Sequence, residues 1–215
     1  MTLPNKLSVL RICLVPLFIV AYFLPYFWGA FVAVGIFIIA AFTDFLDGYI
    51  ARKYNLVSDL GKLLDPIADK ILVCAALFCV VATNPLQYEM MCGELIYQTS
   101  ESLLLLGRIF LTVGGAIILS RELLISAVRQ IAAAKGVVVQ ANVCGKLKTI
   151  FQDISLPLLV VLNAARLVDP RELYNFRVLF QVGCWLSVCL FGVAIILTVV
   201  SGVIYLVQNR KVFAK

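Results

Sequence analysis

The sequence predicts an all-α, polytopic membrane protein with six transmembrane helices and both termini in the cytoplasm. Three observations predict it. Of the 215 residues 63% are apolar and the mean hydropathy is +1.04, far above a soluble domain, in which about half the residues are apolar. Six stretches approach the roughly 20 mostly apolar residues that a spanning helix needs. The 18 Lys and Arg also fall unevenly on the two sides that those stretches define, with only Arg108, Arg166, Arg171 and Arg177 opposite the termini.

The first stretch, 7–25, is too long for a secretory signal and lacks a small-residue cleavage site, so it is expected to be retained. The second, 28–50, ends in carboxylates, and the third, 66–84, begins in them. The fourth, 103–134, is interrupted by Arg121 and Glu122; the fifth, 147–167, starts between Lys146 and Lys148; the sixth, 178–206, carries no charged residue. The polar connections 84–102 and 168–177 are too short to fold alone, so residues 1–215 are read as a single membrane domain.

The net charge of +6 would suit nucleic acid, but its distribution follows the membrane rule, and no nucleic-acid partner is expected. These charges suit anionic lipid instead. The seven cysteines, Cys13, Cys74, Cys79, Cys92, Cys144, Cys184 and Cys189, show no metal-ligand spacing and read as small buried hydrophobes. The chain has no histidine, which removes every Ser-His or Cys-His nucleophile and leaves a carboxylate as the natural general base.

Five of the twelve acidic residues lie between Thr43 and Lys70. Asp44, Asp47, Gly48, Ala51 and Arg52 fall within an arc of about 140° on one helix, and Asp65 and Asp69 are about 40° apart on the next. Four carboxylates converging at a membrane surface repel one another unless cations lie between them. Hard oxygen donors suit Mg²⁺ or Mn²⁺, and two such ions are a recurrent device for displacement at phosphorus. Salt bridges to Arg52, Lys53, Lys62 and Lys70 are the plainer alternative, with Gly48 and Ala51 as small residues at a helix crossing.

The run Asp44-x2-Asp47-Gly48-x2-Ala51-Arg52-x8-Gly61-x3-Asp65-x3-Asp69 is identified as the signature of the CDP-alcohol phosphatidyltransferase family. The resemblance implies six transmembrane helices, a homodimer and a site at the cytoplasmic surface of the cell membrane. It implies two divalent ions on Asp44, Asp47, Asp65 and Asp69, with Asp69 also the base that activates the acceptor hydroxyl. The CDP end of CDP-diacylglycerol is implied over Asp44, Asp47, Gly48, Ala51, Arg52 and Gly61.

Within the family the chain most resembles the branch that forms phosphatidylglycerophosphate from sn-glycerol 3-phosphate. The resemblance is carried by Leu3 to Arg11, Gly61 to Lys70, Ser120 to Arg129, and Ala134 to Thr149; Ser8, Ser120 and the polar segment 87–101 depart from it. An anionic acceptor also follows from the residues. Only twelve uncharged residues separate Arg108 from Arg121, so Arg121 is expected below the membrane surface, where an arginine is functional by default. Arg129, about 80° around the same helix, with Lys146 and Lys148 on the next, completes a candidate phosphate grip. Positive-inside charges and an Arg121–Glu122 pair are the alternative, although adjacent helical residues point apart. Sibling acceptors (serine, inositol phosphate, phosphatidylglycerol) would use the same aspartates. A divalent-cation carrier would need polar groups across the bilayer, and beyond the cytoplasmic end the chain offers little besides Asp153.

Overall fold

The computed structural model describes residues 3–54, 59–84, 101–134, 143–164 and 177–208. Six helices and no strands are found among the described residues: α1 (Leu3–Phe23), α2 (Phe27–Tyr54), α3 (Asp59–Thr83), α4 (Glu101–Ala134), α5 (Val143–Leu162) and α6 (Arg177–Gln208). Each expected stretch is helical, with shifted ends. The α3 helix begins seven residues before the expected 66, because Asp59–Asp65 continues the helix outward on polar residues that a hydropathy criterion passes over. The expected connections 84–102 and 168–177 lie almost wholly outside the described residues.

The α1 helix packs on α2 and α3, while α6 packs on α5 and α4; α2 and α3 touch α5 and so join the two groups. The core runs through Phe18 of α1, Phe37 of α2, Leu77 and Val80 of α3, Ile118 of α4, Leu156 and Leu159 of α5 and Phe191 of α6. The outward faces are as apolar as the core. Trp28, Phe78 and Trp185 are about 70% exposed (71%, 71% and 66%), and Ile38, Ile150, Ile154 and Ile196 are exposed with them. A water-soluble bundle would place polar residues there; hydrocarbon is the matching solvent. Lys6–Phe23, Leu105–Ala132 and Val178–Gln208 are long and apolar enough to cross a membrane, and Phe27–Thr43 and Lys70–Thr83 form shorter apolar helices.

Local chemistry explains the joints. The α1–α2 turn is only three residues long and is closed by the Gly29 amide donating to Tyr26 O at 2.9 Å; a Cβ on Gly29 would sit 2.7 Å from Ala21 O. The α3 helix stops at Asn84, in the left-handed conformation (φ 45°), its amide still donating to Val80 O. Beside it Thr83 donates to Cys79 O, leaving its hydroxyl oxygen to accept from Tyr22 at 2.5 Å and tie α1 to α3. Pro16 and Pro157 sit inside α1 and α5, as apolar spanning helices tolerate when neighbours cover the freed carbonyls.

Candidate active site

Asp44, Asp47, Gly48, Ala51 and Arg52 fall in the C-terminal half of α2, and Gly61, Asp65 and Asp69 in the N-terminal half of α3. Their side chains lie outside the described residues. The two helices are consecutive, joined by residues 55–58, and pack on each other. Two pairs of carboxylates on such a helix pair make a donor set of the kind hard divalent cations take.

One residue past Asp69 the side chains are described, and they converge on α4. The Lys70 ammonium donates to the Glu122 backbone carbonyl at 3.2 Å. That carbonyl would otherwise accept only within its own helix, so the bond ties the aspartate end of α3 to the point where α4 carries its Arg-Glu pair. The Glu122 carboxylate is held by Lys148 of α5, whose ammonium donates to Oε1. Lys148 is fully buried, with 0% of its surface exposed. A buried ammonium is tolerated where a carboxylate accepts from it.

Arg121 is largely buried within the bundle, with 15% of its side chain exposed. Its Nη2 donates to Ser201 Oγ of α6 at 3.2 Å, and Ser201 in turn donates to Thr198 O. Its Nη1 lies 3.8 Å from Glu122 Oε1, the outer limit of an ion pair. Adjacent side chains do diverge on a helix, so Glu122 bonds Lys148 and is only grazed by Arg121. The Arg121 side chain passes close by two glycines: a Cβ on Gly145 of α5 would stand 3.3 Å from Nη2 of the guanidinium, and one on Gly202 of α6 would stand 3.4 Å from the aliphatic Cγ. Its Nε is buried without a hydrogen-bond partner.

The other two predicted acceptor cations are placed farther out. Lys146 is exposed at the start of α5, and exposed Arg129 lies over the Tyr205 ring, 5.9 Å from its centroid. The structure therefore brings Arg121 and Lys148 together and leaves Arg129 and Lys146 on the rim.

Lys70, Glu122, Thr149, Gln152, Asp153 and Cys74 line a cavity of about 60 Å³ between α3, α4 and α5. Gln152 is buried and its Oε1 has no donor. Asp153 also lines a second cavity, about 50 Å³, with Arg11 and with Ala40 and Ala41 of α2, one turn before Asp44. Arg11, at 1% exposure, is among the largest fully buried side chains. The sequence by itself gives Arg11 no role of its own, offers Lys70 only as a salt-bridge partner for the aspartates, and gives Glu122 nothing beyond a pair with its neighbour. A signal was available: the Arg121-Glu122 pair is set between apolar runs, and since adjacent helical side chains diverge, the acid there requires a cation from another helix.

The sequence model of the CDP-alcohol phosphatidyltransferase family matches residues 1–203. A protein of Bacillus subtilis (strain 168) named CDP-diacylglycerol-glycerol-3-phosphate 3-phosphatidyltransferase is 36% identical over 220 residues, covering 96% of this chain and 94% of its own length. One of the same name from Rickettsia bellii (strain RML369-C) is 30% identical over 211 residues, covering 98% of this chain and 97% of its own. A protein of Oryza sativa subsp. japonica named cardiolipin synthase (CMP-forming) is 40% identical over 164 residues, 74% of this chain, which spans 46% of that longer relative.

Proposed function

Because the chain belongs to the CDP-alcohol phosphatidyltransferase family, we propose that it transfers the phosphatidyl group of CDP-diacylglycerol to sn-glycerol 3-phosphate, giving phosphatidylglycerophosphate and CMP. Two full-length relatives, from Bacillus subtilis and Rickettsia bellii, carry names that state this donor and acceptor. The observation that carries the acceptor is Arg121: a largely buried guanidinium with an unpartnered Nε, beside the buried ammonium of Lys148. An anion would satisfy the open Nε of Arg121, with Lys148 close by though already paired to Glu122, and a phosphate offers the planar guanidinium two oxygens at once. Arg129 and Lys146 on the rim would draw it in. The undonated Gln152 Oε1 in the adjoining cavity suits a hydroxyl of a polyol acceptor.

All six helices span the membrane in this reading, with both termini in the cytoplasm. Apolar outward faces on α2, α3 and α5 support it, as does the charge asymmetry of the loops. Arg121 lies twenty residues into α4, about 30 Å along the axis, one hydrocarbon thickness from Glu101. The site therefore opens at the cytoplasmic face of the plasma membrane, where the water-soluble acceptor and the lipid donor meet. The protein works there as a homodimer.

The four aspartates suit Mg²⁺ or Mn²⁺, two per site, held by Asp44, Asp47, Asp65 and Asp69 with CDP over Asp44, Asp47, Gly48, Ala51, Arg52 and Gly61. When bound, the ions supply neutralisation of the donor diphosphate. Asp69 takes the proton of the acceptor hydroxyl, whose oxygen attacks the lipid-side phosphorus as the bond to the CMP oxygen breaks. Lys70, the next residue, ties this step to the acceptor grip through Glu122.

The test is acceptor choice by the purified protein. With CDP-diacylglycerol present, radiolabelled sn-glycerol 3-phosphate should become lipid-soluble and CMP should appear in equal amount. Labelling from phosphatidylglycerol, serine or inositol phosphate in its place would move the chain to a sibling reaction.

A further inference from the structure

We propose that Glu122 is a positioning residue for the acceptor phosphate: its carboxylate is an internal anion that competes with that phosphate for Lys148 and Arg121. The proposal rests on the acceptor reading above and goes beyond it in assigning the carboxylate a part in turnover.

Three contacts meet at this one residue. Glu122 Oε1 accepts from Lys148, lies 3.8 Å from Arg121 Nη1, and the backbone carbonyl accepts from Lys70. A carboxylate and a phosphate ask for the same donors, so whatever binds the acceptor phosphate at these cations shares them with Glu122. The sharing is uneven. Lys148 is fully buried and held directly, which it needs, because an ammonium left unpaired inside a protein costs several kcal/mol. Arg121 is held loosely by Glu122 and, beside its bond to Ser201, has an unmet Nε donor, so it is the cation with a donor left for a phosphate. Glu122 also borders the cavity with Lys70 and Thr149, so it can retreat from Lys148 toward a cation and a hydroxyl instead of lipid. Such a carboxylate keeps the cations placed between turnovers and limits how tightly a phosphate-bearing product is held afterwards.

The experiment measures inhibition by inorganic phosphate against sn-glycerol 3-phosphate, using the full chain in detergent with folding checked by size exclusion. Glu122→Gln keeps the shape and removes the competing charge. Phosphate should then inhibit at least about 5-fold more tightly, the low end of the usual coupling between ligands that share a site. Acceptor KM should fall, kcat should fall with it, and donor KM should stay unchanged. A merely structural role would move donor and acceptor constants alike. Glu122→Asp keeps the charge but draws it back by one methylene, so it should show a smaller shift of the same sign, which covers the case in which Glu122→Gln does not fold. Phosphate inhibition that is unchanged or weaker in the folded variants overturns the proposal. If the parent protein uses sn-glycerol 3-phosphate and is inhibited by phosphate while the variants match it, only the Glu122 assignment fails. If the parent does neither, the acceptor reading fails first.

Discussion

The aspartate half of the site and its basic half are built by opposite means. The aspartates occupy two consecutive helices at spacings of three and four, so their mutual arrangement is local and helical geometry dictates it. The basic half is assembled from four helices by contacts that cross long stretches of chain: 26 residues from Glu122 to Lys148, 52 from Lys70 to Glu122 and 80 from Arg121 to Ser201. In the proposed mechanism the local half carries the chemistry common to the family, and the long-range half sets what is accepted. A change in the first should abolish the reaction, while a change in the second should alter the choice and use of acceptor.

The largest effect expected is from metal removal. With EDTA, activity should disappear for every acceptor, and Mg²⁺ or Mn²⁺ should restore it, because four clustered carboxylates need compensating cations. Activity that persists in metal-free buffer would show that the aspartates work another way. Next comes Asp69→Asn, which keeps the shape but removes both a base and a charged ligand. A loss of about 10²- to 10⁴-fold in kcat is expected, with donor KM moving much less. Near-normal turnover would place the base elsewhere.

Arg121→Lys probes the other half. The charge remains, but lysine cannot reproduce the forked hydrogen bonding of a guanidinium or reach Ser201 in the same way. Losing one charge-assisted bond corresponds to roughly 10- to 150-fold in acceptor kcat/KM. Donor constants should hold. Equal losses for donor and acceptor would erase the division between the two halves.

That division also marks what was legible in the sequence. Asp44, Asp47, Asp65 and Asp69 stood out because an acidic residue at the edge of an apolar run has few explanations and because their spacing is helical. The burial of Arg121 followed from the uncharged stretch before it. Lys148 was named, but its complete burial was not foreseen, since a lysine at a helix start normally reaches water. Glu122 was set against its sequence neighbour because local geometry is all that a sequence displays. The partner that decides its role arrives with α5, after the helices pack. Arg11 was hidden for the same reason: its surroundings come from α2, α3 and α5.

The smallest effect expected separates packing from chemistry within the basic half. Gly145 and Gly202 both stand against Arg121, but at different atoms: a Cβ on Gly145 would press the guanidinium at 3.3 Å from Nη2, while one on Gly202 would rest 3.4 Å from the aliphatic Cγ. Gly145→Ala should push Nη2 by a few tenths of an ångström and disturb its bond to Ser201. The cost of a weakened hydrogen bond corresponds to about 2- to 10-fold in acceptor KM. Alanine is also the better helix former, by roughly 0.5 to 1 kcal/mol in a helix interior and less in the first turn of α5 where Gly145 sits, so thermal stability in detergent should hold or rise slightly while acceptor use falls. Gly202→Ala gains the full helix preference against a contact of ordinary length and should leave acceptor KM close to the parent value. Opposite signs for stability and acceptor use in Gly145→Ala alone would locate the acceptor function at the guanidinium head. Parallel losses in both variants would mean instead that Arg121 serves as packing between α5 and α6.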